Sequence, residues 1–285
     1  GRAMIQDHFK GHDVQRATAV VMMVFGLAPA IAPILGGWMQ TTWGWRSTFL
    51  FMGGFSALMG LICVRFLPET LPPSKRTPFV LGPIARNYLL CVRDRQFVLL
   101  SLSLAFVFGG VALYVGSAAA FVMTILGQSE TAFGWLFVPM IGGMVIGSGL
   151  SGRLAHRVAP KRMIAVGFVL MVLAVVASLI YTSVAVARVP YAVMPIFVYT
   201  LGLALAMPGL SVQALNRFPR MSGLAASMQG FIQMFLFAML SGVLAPLLFD
   251  SAFKLAAGHA VTVLIGLLLW ALALRRSQTT EHSSS

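Results

Sequence analysis

The chain has 285 residues, of which 59% are hydrophobic and 9% charged; soluble domains carry about 25% charged residues. Seven acids and twenty bases cannot coat a soluble protein of this size, so a soluble domain is excluded unless lipid covers much of the surface. The net charge of +13 would suit nucleic-acid binding, but no basic face with interleaved aromatics accompanies it.

Residues 1–17 are polar. His8 and His12 share a helix face there, as metal ligands would, but Gly11 weakens the helix and a solvated loop is the better reading. Eight uncharged runs follow, at 18–40, 47–64, 98–126, 132–152, 163–187, 191–215, 223–249 and 255–274. A hydrocarbon core of about 30 Å needs roughly 20 residues at a helical rise of about 1.5 Å. All but the second run reach that length, and the second ends at Arg65, which can snorkel. A central Arg or Asp costs about 2.5–3.5 kcal/mol on insertion scales, against about 0.3–0.6 gained per Leu or Phe. Keeping charge out of these runs therefore decides insertion. Helix is the expected state, because it satisfies its own backbone in lipid. The fold class is all-α, a polytopic membrane protein.

With residues 1–17 placed in the cytoplasm, every base except Arg46, Arg188 and Lys254 falls on the cytoplasmic side. This is the positive-inside pattern. It puts both ends of the chain on the cytoplasmic side of the membrane. The longest polar connection, 65–97, holds Pro68, Pro72, Pro73, Pro78 and Pro83. Proline interrupts helix, so this stretch reads as a linker with a short amphipathic piece near 84–96. The tail 275–285 is polar. Cys63 and Cys91 fall at or inside the cytoplasmic side, where a structural disulfide is not expected. The run Ala32-Pro33-Ile34-Leu35 is echoed by Ala245-Pro246-Leu247-Leu248, a hint of the internal repetition common in secondary transporters.

Several motifs carry a family resemblance. They are Arg2-Ala3-Met4-Ile5-Gln6-Asp7; the stretch from Gly26 through Pro29 and Pro33 to Gly36-Gly37; Trp43-Gly44-Trp45-Arg46; and Leu67-Pro68-Glu69-Thr70-Leu71. Met207-Pro208 through Ala214-Leu215, then Phe218-Pro219, Gly223, Ala225-Ala226-Ser227 and Gln233, add a further region. Together they resemble the major facilitator superfamily, and within it the drug:proton antiporters of the bicyclomycin/chloramphenicol-resistance branch. The resemblance implies the major facilitator fold with helices 5–12 of twelve present. Residues 1–67 would be the remainder of the N-terminal six-helix half, 68–97 a cytoplasmic linker, 98–274 the C-terminal half and 275–285 a cytoplasmic tail. The implied function is export of amphipathic drugs or small metabolites by proton antiport and alternating access. Two alternatives stay open: a non-transporting truncated protein or assembly partner, and a nutrient-importing facilitator.

The resemblance assigns Gly26, Pro29, Pro33, Gly36 and Gly37 to the antiporter motif of helix 5. Glycine permits close helix approach and proline removes an amide donor and bends the helix; kinked packing alone is the other reading. A weaker gating motif lies at Gly152, Arg153, His156, Arg157, Lys161 and Arg162. The family usually has Asp where His156 stands, which puts the Asp–Arg lock in doubt. The repeat Gly143-x-x-x-Gly147 reads as helix packing before hinge. Tyr114, Tyr199, Met207, Gln213, Gln229 and Gln233 are candidates for a substrate cavity between the halves. Gln229 and Gln233 share one helix face, and interhelical hydrogen bonding competes with substrate contact for both. None of the seven acids sits at mid-span, so the resemblance places the proton-coupling group in helices that precede Gly1, with His259 a minor candidate. No metal, cofactor, phosphate-binding loop, nucleophile elbow or enzyme activity is expected. The expected partners are the lipid bilayer, a small-molecule substrate and protons, without nucleic acid, and the full-length protein is expected to be monomeric.

Overall fold

The computed structural model describes residues 31–32, 35–66, 81–154 and 157–282. The chain divides into two compact units, Gly1–Val80 and Leu81–Ser285. Seven helices among the described residues are long and apolar enough to cross a membrane. The all-α reading holds for these residues: helices and the turns between them account for the whole described chain.

In the first unit, residues 35–43 are helical and α1 spans Trp45–Phe66. Gly44 separates them at φ 77°. Its amide still reaches the Gln40 carbonyl at 3.0 Å, so the first helix ends in a left-handed cap that only glycine adopts without strain. The Trp-Gly-Trp-Arg motif is therefore a helix boundary. Arg46 lies 4.7 Å from the Trp45 ring centroid, and Trp38 meets Trp43 edge-on at 4.9 Å.

The second unit contains α2 (Leu81–Arg93), α3 (Arg95–Gly116), α4 (Gly134–Leu154), α5 (Pro160–Val184), α6 (Met194–Leu215), α7 (Ser222–Leu248) and α8 (Ala252–His282). All but α2 are candidate spans. The amphipathic piece expected near 84–96 is α2, and α3 starts directly after it. Asp94 makes that break: its carboxylate accepts the Phe97 amide at 2.7 Å and caps α3. Pro160 opens α5, where a missing amide costs nothing.

Two uncharged runs contain departures from regular helix. The run 98–126 is not one regular helix: α3 ends at Gly116 and a π-turn occupies Ala120–Ile125. In α7 a π-turn at Leu240–Leu244 precedes Pro246. Proline has no amide and its ring crowds the carbonyl four residues back; a locally widened turn relieves that crowding.

α6 packs along α4, α5 and α3, while α3 also packs along α8 and α7, and α8 against α5. The core where they meet includes Leu100, Leu104, Val107, Leu113, Ile164, Phe168, Met171, Leu203, Leu210 and Leu255. α5 is apolar on both faces. Ile164, Phe168, Met171 and Val175 point inward, and Val166, Val169, Leu173, Val176 and Ile180 point outward at helical spacing. A helix apolar all round belongs in lipid or a large core.

Candidate functional site

Three polar constellations lie within the second unit.

The first is at the junction of α2, α3 and α6. Arg217 donates to Asp94 Oδ2 through Nη2 at 2.9 Å and Nε at 3.2 Å. Phe97 and Phe218 cross edge-on beside the pair at 5.5 Å. Partial burial alone would raise the Asp94 carboxyl, but the hydrogen bonds from Arg217 and the Phe97 amide, with the Arg217 charge, outweigh it. They hold the carboxyl below its usual range. Burial, and then the Asp94 charge, pushes the Cys91 thiol up. Asp94 and Arg217 were not singled out from the sequence. The available signal was an acid four residues before an uncharged run, a place for an N-cap.

The second joins α6 to α7. Ser211 donates its hydroxyl to Gln229 Oε1 at 2.7 Å, and Gln229 Nε2 is buried without a partner. Gln229 is thus inside the unit, whereas Met207, Gln213 and Gln233 are half-buried. Gln233 does share the face of Gln229 by spacing, but only Gln229 is anchored by Ser211.

The third is a ring cluster at the other ends of α3 and α6. The Tyr199 hydroxyl donates to the Val107 carbonyl. The Tyr199 and Tyr114 ring centroids lie 3.9 and 5.1 Å from that of His259. All three residues are buried, and His259 Nε2 has no partner. Gly110 makes the space: a Cβ there would press on the Tyr199 hydroxyl and lie 2.5 Å from His259 Cδ2. Tyr114 and Tyr199 therefore sit inside the helical unit rather than on a free face of it.

The remaining sequence candidates are placed as follows. Gly26, Pro29, Pro33 and His156 lie outside the described residues, as do His8 and His12. Gly36 and Gly37 are half-buried in the helical stretch 35–43, and a Cβ on Gly36 would meet nothing within 4 Å. Gly152, Arg153, Arg157, Lys161 and Arg162 are exposed around the α4–α5 connection. Gly143 and Gly147 face α6, where a Cβ on Gly143 would strike the Phe197 carbonyl and one on Gly147 would lie 2.6 Å from the Leu201 carbonyl. Among the described residues no three metal-ligating side chains gather.

A family model described as Major Facilitator Superfamily matches residues 1–246. A bicyclomycin resistance protein homolog of Haemophilus influenzae is 24% identical over 94% of this chain and 67% of its own length. An uncharacterized MFS-type transporter, YdgK, of Bacillus subtilis is 26% identical over 99% of this chain and 70% of its own. A multidrug transporter, MdfA, of Edwardsiella ictaluri is 26% identical over 84% of this chain and 58% of its own.

Proposed function

Because the chain belongs to the Major Facilitator Superfamily, we propose that it exports amphipathic drugs or small metabolites by alternating access, driven by inward proton flow. The observation that carries this reading is the similarity, over 84–94% of the chain, to relatives named for bicyclomycin resistance and multidrug transport. The helix 5 motif from Gly26 to Gly37 points the same way.

In this reading the six spans of the second unit form one half of the transporter, with residues 68–97 as linker. The protein sits in the bacterial inner membrane with both ends of this chain cytoplasmic, as the distribution of bases supports. Gly26, Pro29, Pro33, Gly36 and Gly37 are the antiporter motif, which biases the direction of opening and resists leak. Gly152, Arg153, His156, Arg157, Lys161 and Arg162 form the gating loop. Tyr114, Tyr199, Met207, Gln213, Gln229 and Gln233 belong to the substrate side of the unit. The long apolar helices and flexible methionines suit a pliable cavity for varied ligands.

The test is efflux of a fluorescent dye or an antibiotic from cells expressing the native protein. Protein-dependent efflux that collapses with the proton gradient is the expected result. Efflux indifferent to the gradient removes the coupling, and uptake in oriented vesicles removes the export direction.

A further inference from the structure

Among the described helices of the second unit, α2 alone is too short to span and too apolar on its surface to belong in water. One face is packed: Cys91 is buried, Asn87 and Tyr88 are half-buried, and the Tyr88 hydroxyl lies 3.1 Å from Ser227 Oγ of α7. That contact, with packing against α3, holds α2 beside the ends of two spanning helices. The opposite face is exposed and divided lengthwise. Ala85, Leu89 and Val92, at i, i+4 and i+7, form an apolar stripe, with Leu89 47% and Val92 52% exposed. Arg86 and Arg93, seven apart, form a basic stripe beside it, and Leu90 closes the far flank at 44% exposed.

The basic stripe is electrostatically free. Neither Arg86 nor Arg93, nor the exposed Arg95 that begins α3, makes an ion pair among the described residues. Asp94 stands between Arg93 and Arg95, but Arg217 occupies its carboxylate. The result is three exposed guanidinium groups without an acidic partner among the described residues, two of them beside the apolar stripe and the third at the start of α3, a candidate span.

We propose that α2 is an interfacial helix that binds anionic phospholipid. Ala85, Leu89 and Val92 enter the acyl boundary, while Arg86, Arg93 and Arg95 hold headgroup phosphates. Amphipathic helices bind this way through buried apolar area plus attraction to anionic lipid. Guanidinium is the group suited to bidentate phosphate contact, and the long arginine stems snorkel from an apolar surface to headgroup level. The proposal needs membrane insertion only and is independent of what the protein transports.

Two measurements on the full chain test it. In the first, nitroxide labels are placed at Leu89 and Val92 in a Cys63→Ser, Cys91→Ala background, in nanodiscs of phosphatidylethanolamine and phosphatidylglycerol. Greater collision with oxygen than with a water-soluble nickel chelate is expected. Greater collision with nickel would put the stripe in water, and exclusion of both would put protein over it; either overturns the proposal. In the second, phosphatidylglycerol retained after detergent extraction is counted by native mass spectrometry. The R86Q/R93Q variant should bind it about fivefold more weakly for each arginine removed, and R86K/R93K should retain most of it. Equal retention by R86Q/R93Q, or displacement of the lipid by millimolar inorganic phosphate, overturns the headgroup assignment.

Discussion

Asp94 and Arg217 are 123 residues apart in sequence, yet the Asp94 carboxylate accepts two hydrogen bonds from the Arg217 guanidinium while it also caps α3. One carboxylate thus ends α2, starts α3 and ties both to the end of α6. The cap and the charge pair separate by mutation. Asp94→Ala loses cap and pair together, a cost of about 1–2 kcal/mol. The pair supplies the smaller part, because the Arg217 side chain is 46% exposed and screened by water. Asp94→Asn keeps a good cap and loses only the charge, so its loss should be well under half that of Asp94→Ala. Thermal unfolding of the purified chain in detergent measures both.

The same residue sets an acid limb. Its carboxyl is held below the usual value of about 4, so the folded state favours the ionised form. The stabilisation is complete above that value and disappears as pH falls through the lower, folded value. The stability gap between wild type and Asp94→Asn should therefore be constant from about pH 7 to pH 5 and close below about pH 4. A gap that stayed constant to the lowest pH would mean that the pair contributes nothing.

Gly143 and Gly147 predict a sharp contrast with a neighbour on the same helix. A methyl at Gly143 would overlap the Phe197 backbone carbonyl, which cannot rotate away. Gly143→Ala should separate α4 from α6 at a cost of about 1–3 kcal/mol. A methyl at Gly149 meets nothing within 4 Å. Gly149→Ala should be neutral or stabilising by up to about 1 kcal/mol, the helix-propensity difference. Equal effects in a thermal-shift assay would show that the close approach is not holding the two helices together.

Much of this was legible because lipid imposes a simple rule: charge stays out, so uncharged runs mark spans. The six runs from residue 98 onward each contain a long helix. Their ends were less legible. The run beginning at 98 gave no sign that Arg95 lies within α3, because the Asp94 cap fixes that start, nor that regular helix stops at Gly116, where Ser241 of α7 crowds the backbone. The candidate site was legible in part. Buried amides and aromatics could be named from their cost in lipid, but their partners depend on which faces meet. Nothing in the sequence gives Ser211 or Gly110 a role, yet one orients Gln229 and the other makes room for His259. The Gly-x-x-x-Gly pattern reads as packing, and α6 is what packs there.

Gly110 and His259 form a lock that a double-mutant cycle can open. Gly110→Ala places a methyl against the His259 ring and the Tyr199 hydroxyl, so it should destabilise by about 1–3 kcal/mol. His259→Ala leaves a cavity, at a cost of about 2–5 kcal/mol if the site behaves like a large-to-small core change. Together they should cost less than the sum, because the methyl enters part of the space that the imidazole vacates. A coupling of about 0.5 kcal/mol or more is expected for residues in contact. Strict additivity would mean that the two do not share that space.

Gln229 decides between a hydrogen-bonded strut and a ligand contact. Ser211→Ala removes the donor to a buried Oε1 and leaves that acceptor unsatisfied, which costs about 1–3 kcal/mol. Gln229→Leu keeps the volume and removes the unpaired Nε2 as well, while the Ser211 hydroxyl can turn to a carbonyl of its own helix. Its stability cost should therefore be smaller than that of Ser211→Ala. If Gln229 is only a strut, dye efflux by Gln229→Leu should match that of the wild type once corrected for the amount of folded protein. If its free amide donates to a substrate oxygen, efflux should fall several-fold for carbonyl-bearing substrates while stability holds. Ser211→Ala, in which the amide loses its orientation, should then lie between the two in efflux despite being the less stable. The expected result is this inversion of order between stability and efflux. Efflux that simply follows stability across the three proteins would remove Gln229 from the substrate side and leave it as a tie between α6 and α7.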